Sequence, residues 1–398
     1  MTNSSFPSPD FDTIIDRRGT HSSKWDMMER TYGVPAETGL AMWVADMDFA
    51  APHCITAALQ KMVDHGIYGY FGDDAAYKAA VIWWMENRHG WTVAPEWIFS
   101  THGLVNGTAM CLDAFSAPGE GVVITTPVYH AFASVIKASG RQLVECPLTN
   151  TDGHYSMDFA HWDTMMTGNE RIFILCSPHN PGGRVWRGDE LREVADFCRR
   201  HDLVLVSDEI HHDLVMPGHR HLPMTLAAPD ITDRLVMMTA STKTFNIAGG
   251  HTGNVIIADP ALRARFGTRM AGLGLSPNAF GLHMATAAYS PEGAAWVDAL
   301  MIYIDQNRQI LESGLRAIPG LRPMTLQATY LCWVDFANTG MDMSEVLRRV
   351  QQEAQIAPNH GTTFGLGGAP FLRFNIGTQR ARIVEAVERM QAAFKDLQ

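Results

Sequence analysis

One lysine constrains this chain more than any other residue. It lies in the stretch Thr239–Gly250, TASTKTFNIAGG, directly after the apolar run Leu235–Met238, which predicts a buried strand. Between that strand and a Gly-rich turn, the amine of Lys243 would be fixed in place and partly desolvated, which lowers a lysine pKa from about 10.4. A neutral amine can attack an aldehyde. The alternative is a strand-end lysine that reaches solvent, and the remaining motifs decide between the two.

Composition limits the possible partners and compartments. The 398 residues allow two domains in one cooperative unit, and the net charge of −11 without a basic stripe argues against nucleic acid as a partner. The N-terminus lacks the charged start and apolar centre of a signal peptide, and no apolar run reaches transmembrane length. The six cysteines are scattered without a CxxC pair, so we expect reduced thiols in a cytoplasmic protein with no membrane contact.

The central part of the chain alternates between apolar runs and helical stretches. The runs lie at 97–100, 121–125, 142–146, 171–176, 203–207, 234–239 and 253–258. Because they are apolar on both faces and several are separated by helices, they predict an α/β fold with a mostly parallel, seven-stranded sheet flanked by helices. Ligands in such sheets bind at the carboxyl ends of the strands.

Three segments of the chain are predicted as structural units. Residues 1–45 are expected to form an N-terminal arm and part of a small domain, 46–290 a large domain that contains the ligand-binding edge of the sheet, and 291–398 a smaller α+β C-terminal domain that a long helix from Pro291 joins to the rest. The first 40 residues carry few periodic signals and are expected to cross the surface. Met42–Phe49 is predicted as a short strand-like piece with two carboxylates.

Polar residues follow two further strands of the predicted sheet. Asp208 ends one apolar run, and a buried carboxylate is costly unless it meets a cation such as a protonated pyridine nitrogen; a helix N-cap is the alternative. Asn180 lies between two prolines in a tight turn, from which it can donate to an oxygen on a bound ring or simply stabilise the turn. His211 follows Asp208 by three residues and could reach the same ring.

A lysine for an aldehyde, a carboxylate for a pyridinium and an Asn donor for a phenolic oxygen together fit pyridoxal 5'-phosphate. Gly103 permits a close approach at the start of a helix, where backbone amides would face the phosphate, and the hydroxyl of Thr242 could add a donor. Tyr129, at another strand end, could stack on the ring or pack in the core.

An arginine inside an apolar strand implies a carboxylate partner. Arg373 lies within Phe371–Asn375, and an unpaired buried guanidinium would be costly. A substrate α-carboxylate would suit bidentate pairing, and an internal ion pair with a protein acid is the alternative. His211, His212 and Asp213 could ligate a metal, but no further ligand cluster with recognisable spacing is visible, so no metal is expected.

Several motifs in a fixed order resemble a known family. Asn180–Arg184, Ser207–Leu214, Ser241–Gly249 and Phe371–Asn375 resemble the motifs of fold-type I pyridoxal-phosphate enzymes, the aspartate aminotransferase superfamily. Within it, the segments MWVADMDF, HGxxGY, TPVYxAF and SDEIHxDL are similar to those of the MalY/PatB group of cystathionine β-lyases. The resemblance extends from about Met42 to Arg380, nearly the whole chain.

The resemblance implies a role for each matching residue. Lys243 bonds to the cofactor and moves the proton, Asp208 pairs with the pyridine nitrogen, Tyr129 stacks on the ring, and Asn180, with His211, contacts the phenolic oxygen. The implied phosphate site consists of Gly103, Leu104 and Thr242. The resemblance further implies a homodimer with the site at its interface, in which Tyr70 reaches the phosphate of the partner subunit. Arg373 holds the carboxylate of an amino-acid substrate, and backbone near Ala45 closes the site.

The resemblance also implies an activity, with departures at three positions. It favours β-elimination on a cysteine thioether, giving thiol, pyruvate and ammonia; an aminotransferase and a regulatory sensor on the same fold are the alternatives. His251 stands where many aminotransferases have a phosphate-binding arginine, which favours the lyase. Ala240 replaces a common serine and Phe71 a small hydroxyl residue, so the phosphate site could be more apolar or filled differently.

Overall fold

A computed structural model describes Phe6 and residues 9–397. Its strands, in chain order, are β1 Leu40–Met42, β2 Ile98–Thr101, β3 Gly121–Thr126, β4 Gln142–Pro147, β5 Thr149–Thr151, β6 His154–Ser156, β7 Glu170–Cys176, β8 Val204–Asp208, β9 Leu235–Thr239, β10 Gly253–Ile256, β11 Arg322–Pro323, β12 Leu331–Asp335, β13 Ile356–His360 and β14 Phe371–Asn375. Its α-helices are α1 Ser23–Asp26, α2 Met28–Tyr32, α3 His53–His65, α4 Ala75–His89, α5 Leu104–Phe115, α6 His130–Ala138, α7 Phe159–Asp163, α8 Gly188–Arg200, α9 Met224–Ala227, α10 Ser241–Thr244, α11 Pro260–Gly272, α12 Ala279–Ala288, α13 Pro291–Arg316, α14 Met343–Arg348 and α15 Arg380–Ala393.

The large sheet has seven strands in the order β2-β10-β9-β8-β7-β3-β4. Only β10 runs antiparallel to its neighbours, so the predicted mostly parallel α/β sheet is confirmed. The strands are buried because their side chains are apolar on both faces: β3 is buried at every position and β7 at all but Arg171. Six strands that run in the same direction therefore deliver their carboxyl ends, and the loops that follow, to one edge of the sheet.

A second sheet of five strands has the order β1-β13-β14-β12-β11. Helix α13, 26 residues long, leads into it from the large sheet, and α15 packs along α13. Because β1 pairs with β13, the beginning of the chain completes this sheet. We therefore propose the division expected from the sequence: a large unit at 46–290, and a small one at 291–398 that takes in part of 1–45.

More than half of the described residues among the first 40 are exposed, as the expectation of a chain that crosses the surface requires, but part of the segment is packed inside. Trp25 and Met28 are buried in two short helices, and the fully buried ammonium of Lys24 lies 2.9 Å from the carboxylate of Asp48. Residues 1–5, 7, 8 and 398 lie outside the described residues. This packing could not be predicted from the sequence, because buried ion pairs and short helices produce no apolar periodicity.

The predicted strand at Met42–Phe49 is also wrong beyond its first residue. Strand β1 ends at Met42, and residues 43–49 leave the sheet as an irregular segment, which we call the strap. The carbonyls of Trp43, Val44 and Ala45 accept hydrogen bonds from side chains rather than from a neighbouring strand. The segment is therefore held by side chains of other elements rather than by a ladder of backbone hydrogen bonds.

None of the helices in the described part of the chain combines the length and apolarity needed to cross a membrane. All six cysteines are described, and none is in a disulfide.

Candidate functional site

Two neighbouring parallel strands bring an acid and a lysine to the same edge of the large sheet. Asp208 is the last residue of β8 and lies opposite Met238 of β9. After β9, Ala240 has extended backbone, and the chain turns into the short helix α10, which carries Lys243. Asp208 and Lys243 lie close enough for the charge of each to shift the pKa of the other.

Burial favours the uncharged forms of both Lys243 and Asp208. It lowers the pKa of Lys243 to about 8, against the opposing charge of Asp46, and it raises the pKa of Asp208 to about 7. The Lys243 amine donates a hydrogen bond to the Ala45 carbonyl at 2.7 Å. The amine can therefore lose its proton near neutral pH, and the carboxylate lacks a strong cationic partner, as a site for a pyridinium requires.

Two buried polar atoms beside these groups have no hydrogen-bond partner among the described residues. They are the Nδ1 of His211 and the Oγ of Ser241. Burial, with the nearby charges of Lys243 and Arg373, holds the pKa of His211 well below its usual value, so the imidazole is neutral. Because a buried polar atom without a partner is costly, both atoms indicate a ligand with polar groups.

The start of helix α5 faces open space. Gly103 precedes the helix with a φ of +87°, which favours glycine, and no atom lies within 4 Å of the point where a Cβ would stand. Leu104 is the first helical residue and is buried, and Thr242 is also buried. The free amides at this helix start are suited to a phosphate.

Arg373 is buried and has no acidic partner within 4.0 Å among the residues that the structure describes. Its guanidinium donates to Asn180 Oδ1 and to the Trp43 carbonyl, each at 2.9 Å, and to Asn359 Oδ1, while its Nε makes no hydrogen bond. Burial lowers the pKa of Arg373 to about 10, which leaves it charged at neutral pH. The internal ion pair considered from the sequence is thus not formed, and the guanidinium can receive an external carboxylate.

The remaining predicted residues fall into two groups. Tyr129 follows β3 and is close enough to Arg373 and Asp208 for their charges to act on its pKa, which burial raises. Asn180 accepts from Arg373 through Oδ1, so Nδ2 is the end that can donate to a ring oxygen. Tyr70, by contrast, is fully exposed and lines a surface groove that contains none of these residues.

Sequence reasoning missed the residues that hold the strap. The Nδ2 of Asn375 donates to the carbonyls of Val44 and Asp46, and Asn246 bonds both the amide and the carbonyl of Met47. The Tyr330 hydroxyl donates to the Ala45 carbonyl at 3.0 Å. The sequence did contain a signal. Asn246, three residues after Lys243, and Asn375, in an apolar strand, each carry a polar side chain that needs hydrogen-bond partners when buried.

The structure shows the surroundings of the three residues that depart from the family motifs. His251 is exposed and adopts a left-handed φ of +43°. Ala240 is buried, while the next residue, Ser241, carries the partnerless hydroxyl described above. Phe71 packs edge-on against His283 in the same groove as Tyr70.

The donor set as a whole fits pyridoxal 5'-phosphate. An amine that deprotonates near neutrality, a buried carboxylate, two partnerless polar atoms and an open helix start lie at one sheet edge. The side chains that would hold the group are those of Lys243, Asp208, Asn180, His211, Thr242 and Tyr129, with the backbone of Gly103 and Leu104.

Comparisons with known proteins agree with this arrangement. Residues 42–390 match the family "Aminotransferase class I and II". The chain is 40% identical to "Cystathionine beta-lyase PatB" of Bacillus subtilis, with 96% of this chain and 99% of that protein aligned, and 31% identical to "Protein MalY" of Escherichia coli, with 95% and 97% aligned. The crystal structure of cystalysin from Treponema denticola, described as containing pyridoxal 5'-phosphate, superposes with a TM-score of 0.93 at 36% identity and covers 98% of this chain and 100% of its own.

Proposed function

The chain belongs to the family of class I and II aminotransferases, and we propose that within it the protein is a pyridoxal-phosphate-dependent carbon–sulfur lyase. Its substrate is a cysteine thioether amino acid such as cystathionine, and its products are a thiol, pyruvate and ammonia. The observation that carries the proposal is the buried pair of Lys243 and Asp208 next to a guanidinium without an acid, in a chain similar to a cystathionine β-lyase over nearly its whole length.

When bound, the cofactor supplies an aldehyde for the amine and a ring that withdraws electrons from the α-carbon of the substrate. Asp208 would accept the hydrogen bond of the ring nitrogen, and Nδ2 of Asn180 would donate to the ring oxygen. The amides at Gly103 and Leu104, with the Thr242 hydroxyl, would hold the phosphate. The aromatic side chain of Tyr129 would pack against the ring.

The reacting residues are Arg373 and Lys243. Arg373 holds the substrate carboxylate, which fixes the α-carbon over the site. The Nζ of Lys243 removes the α-proton, for which its lowered pKa near 8 is suited. The electron pair left on the α-carbon becomes the double bond to the β-carbon as the bond between the β-carbon and sulfur breaks, and the thiolate leaves with the electrons of that bond. Water then hydrolyses the unsaturated amino acid to pyruvate and ammonia. The strap, held by Asn246 and Asn375, keeps the Ala45 carbonyl against the site.

The proposal includes a homodimer. Tyr70 is fully exposed, and with Ile67, Tyr68 and Phe280 it forms an exposed apolar surface that a second copy would cover. In such a dimer the Tyr70 hydroxyl reaches the phosphate of the partner's site, as the sequence motif implies. The prediction of a cytoplasmic enzyme is part of the same proposal and rests on the unpaired thiols.

The test is incubation of the purified protein, loaded with its cofactor, with L-cystathionine in the absence of any keto acid. We expect pyruvate, ammonia and a free thiol in equal amounts. Amino-group transfer that starts only when a keto acid is added would instead identify an aminotransferase. Binding of the cofactor without turnover of any amino acid in a panel of thioethers and ordinary amino acids would identify a sensor.

A further inference from the structure

A second cluster of chemically active side chains lies outside the cofactor site. It consists of His89 at the end of α4 and of His212 and Asp213 in the turn after β8, all three buried. One ligand atom from each residue lies within 4.8 Å of the others. The sequence suggests His211 as the companion of His212 and Asp213, but His211 packs near Tyr330, and His89 takes its place.

The hydrogen bonds of His212 leave one nitrogen facing an acid. Its Nδ1 lies 2.5 Å from the Glu209 carbonyl, so this nitrogen carries the proton of a neutral ring. Its Nε2 then presents a lone pair to Asp213 Oδ2 at 3.2 Å, and no residue that the structure describes forms a hydrogen bond to it. Two acceptors face each other in a buried place, which requires either a second proton or a cation between them.

The three side chains converge on a space of the size of a small tetrahedral ion. Bonds of about 2.0 Å place ligand atoms of such an ion about 3.3 Å apart. His212 Nε2 lies 3.2 Å from Asp213 Oδ2, His89 Nε2 lies 2.8 Å from Asp213 Oδ1, and one ligand atom of each residue lies within 4.8 Å of the others, so the side chains would rotate toward a common point as the ion binds. Two histidines and one carboxylate are a common ligand set for zinc with an open fourth position.

The surroundings supply the outer hydrogen bonds that such sites use. Trp84 Nε1 donates to Asp213 Oδ1 at 2.9 Å, and Thr244 Oγ1 donates to Asp213 Oδ2 at 2.8 Å. The Nδ1 of His212 is fixed by a backbone carbonyl, the arrangement that orients a ligating imidazole. These contacts direct the side chains of Asp213 and His212 before any ion arrives.

A surface cavity of about 270 Å³ gives access to the cluster. His89, His212 and Asp213 line it, together with His219 and His221. His221 is committed to Glu209, with its Nε2 2.7 Å from Oε2. The cavity therefore offers an entry path and room for a water at the fourth position.

We propose that this protein binds one divalent transition-metal ion, of the zinc class, through His89, His212 and Asp213. The ion ties the end of α4 to the turn after β8. Because Asp213 also holds the hydroxyl of Thr244, the residue after Lys243, the ion stabilises the segment that carries the reactive lysine. The proposal does not depend on the lyase activity.

The test uses the cofactor-loaded protein. It is first dialysed against a chelator to remove bound metal and then against buffer to remove the chelator. The protein is then titrated with Co²⁺ in the absence of amino acids. We expect one equivalent of Co²⁺ to produce visible d–d bands to the red of the cofactor absorption and to raise the melting temperature. His212→Gln should lose that equivalent. The matched control His219→Gln, in the same cavity but outside the cluster, should keep it. Zn²⁺ should displace Co²⁺ and abolish the bands.

Two outcomes overturn the proposal. One is a wild-type protein that shows no bands with one equivalent of Co²⁺; in that case His212 carries a second proton instead. The other is a His212→Gln variant that binds Co²⁺ with the same spectrum as the wild type. Should His212→Gln fail to fold, His89→Gln replaces it, and the wild-type titration still decides the first outcome.

Discussion

Burial gives Lys243 and Asp208 pKa values near neutrality from opposite directions. Only the neutral form of Lys243 can attack the cofactor aldehyde, and its pKa is about 8. The apoenzyme should therefore capture pyridoxal 5'-phosphate faster as pH rises, with the rate levelling off above about pH 8. Stopped-flow absorbance at a series of pH values measures this. A rate that keeps rising toward pH 10 would mean that the amine is fully solvated.

Removal of the reactive amine should abolish both cofactor attachment and turnover. Lys243→Ala should lower the rate of pyruvate formation by at least about 100-fold, because a positioned proton acceptor contributes that much or more. Borohydride treatment followed by mass spectrometry should find the cofactor attached to the wild type and not to the variant. Lys78→Ala, which changes a lysine paired with Asp74 on α4, is the matched control. A surviving covalent link in Lys243→Ala would show that another lysine reacts.

The guanidinium of Arg373 should act mainly on substrate binding. Arg373→Lys keeps the charge but loses the planar pair of donors, so we expect KM for cystathionine to rise by about tenfold or more, a change of about 1.4 kcal/mol. Cofactor affinity should change little. Steady-state kinetics with an absorbance titration of the cofactor separates the two effects. An unchanged KM would place the substrate carboxylate elsewhere.

At the scale of elements, the strap depends on one asparagine in a left-handed conformation. Asn246 has a φ of 57°, and its side chain makes three hydrogen bonds to Met47 and Phe49. Asn246→Gly should cost about 1–3 kcal/mol through the lost hydrogen bonds. Asn246→Ala should cost about 1–2 kcal/mol more, because alanine is strained at this φ. Urea unfolding of both variants checks the order, and equal losses would contradict the role of the backbone.

How far the sequence predicts each element depends on which force holds it. The strands of the large sheet are apolar on both faces, so hydrophobic pattern alone locates β3, β7 and β8 nearly to the residue. Helix α12 was not predicted, because its composition, AFGLHMATAA, is small and apolar all round and gives no period. The strap was misread because side chains almost 200 and about 330 residues away in sequence determine its conformation.

The residues of the candidate site likewise divide into those that can be predicted from the sequence and those that cannot. Lys243, Asp208 and Arg373 stand out in sequence because a charge inside an apolar run needs a reason. Ser241 and Tyr330 do not, since a hydroxyl in a loop or an aromatic near a strand is ordinary there. The pairing of His89 with His212 and Asp213 joins residues more than 120 positions apart and follows only from the packing of α4 against the sheet.

At the scale of the whole molecule, the exposed Tyr70 predicts a site shared between two subunits. Tyr70→Phe should lower activity through the lost hydroxyl, and Lys243→Ala should abolish it. In dimers that combine one subunit of each kind, one of the two sites has both residues intact. The two variants are co-expressed, each with a different tag. If their subunits are present in equal amounts and pair at random, the mixture should therefore have about a quarter of wild-type activity.

The control for this experiment is co-expression of wild type with Lys243→Ala. It should give activity in proportion to the intact lysines and no more. The mixture of the two variants could instead show only the sum of their separate activities. Tyr70 would then act in the site of its own subunit or in no site, and the proposed contact between Tyr70 and the partner's site would be wrong.

The strap has a consequence for how the chain can vary over evolutionary time. Its carbonyls at 43, 44, 45 and 46 accept hydrogen bonds from Arg373, Asn375 and Lys243, of which Asn375 serves both 44 and 46, so the donors come from the second sheet and from the short helix that follows β9. These contacts are made to peptide groups and so constrain the spacing of the backbone, while the side chain of Asp48 is constrained as well by its buried pair with Lys24. Insertion or loss of a single residue would shift every carbonyl by one place at once. Such a chain would still fold into two intact sheets, yet its lysine and arginine would be aimed at the wrong points.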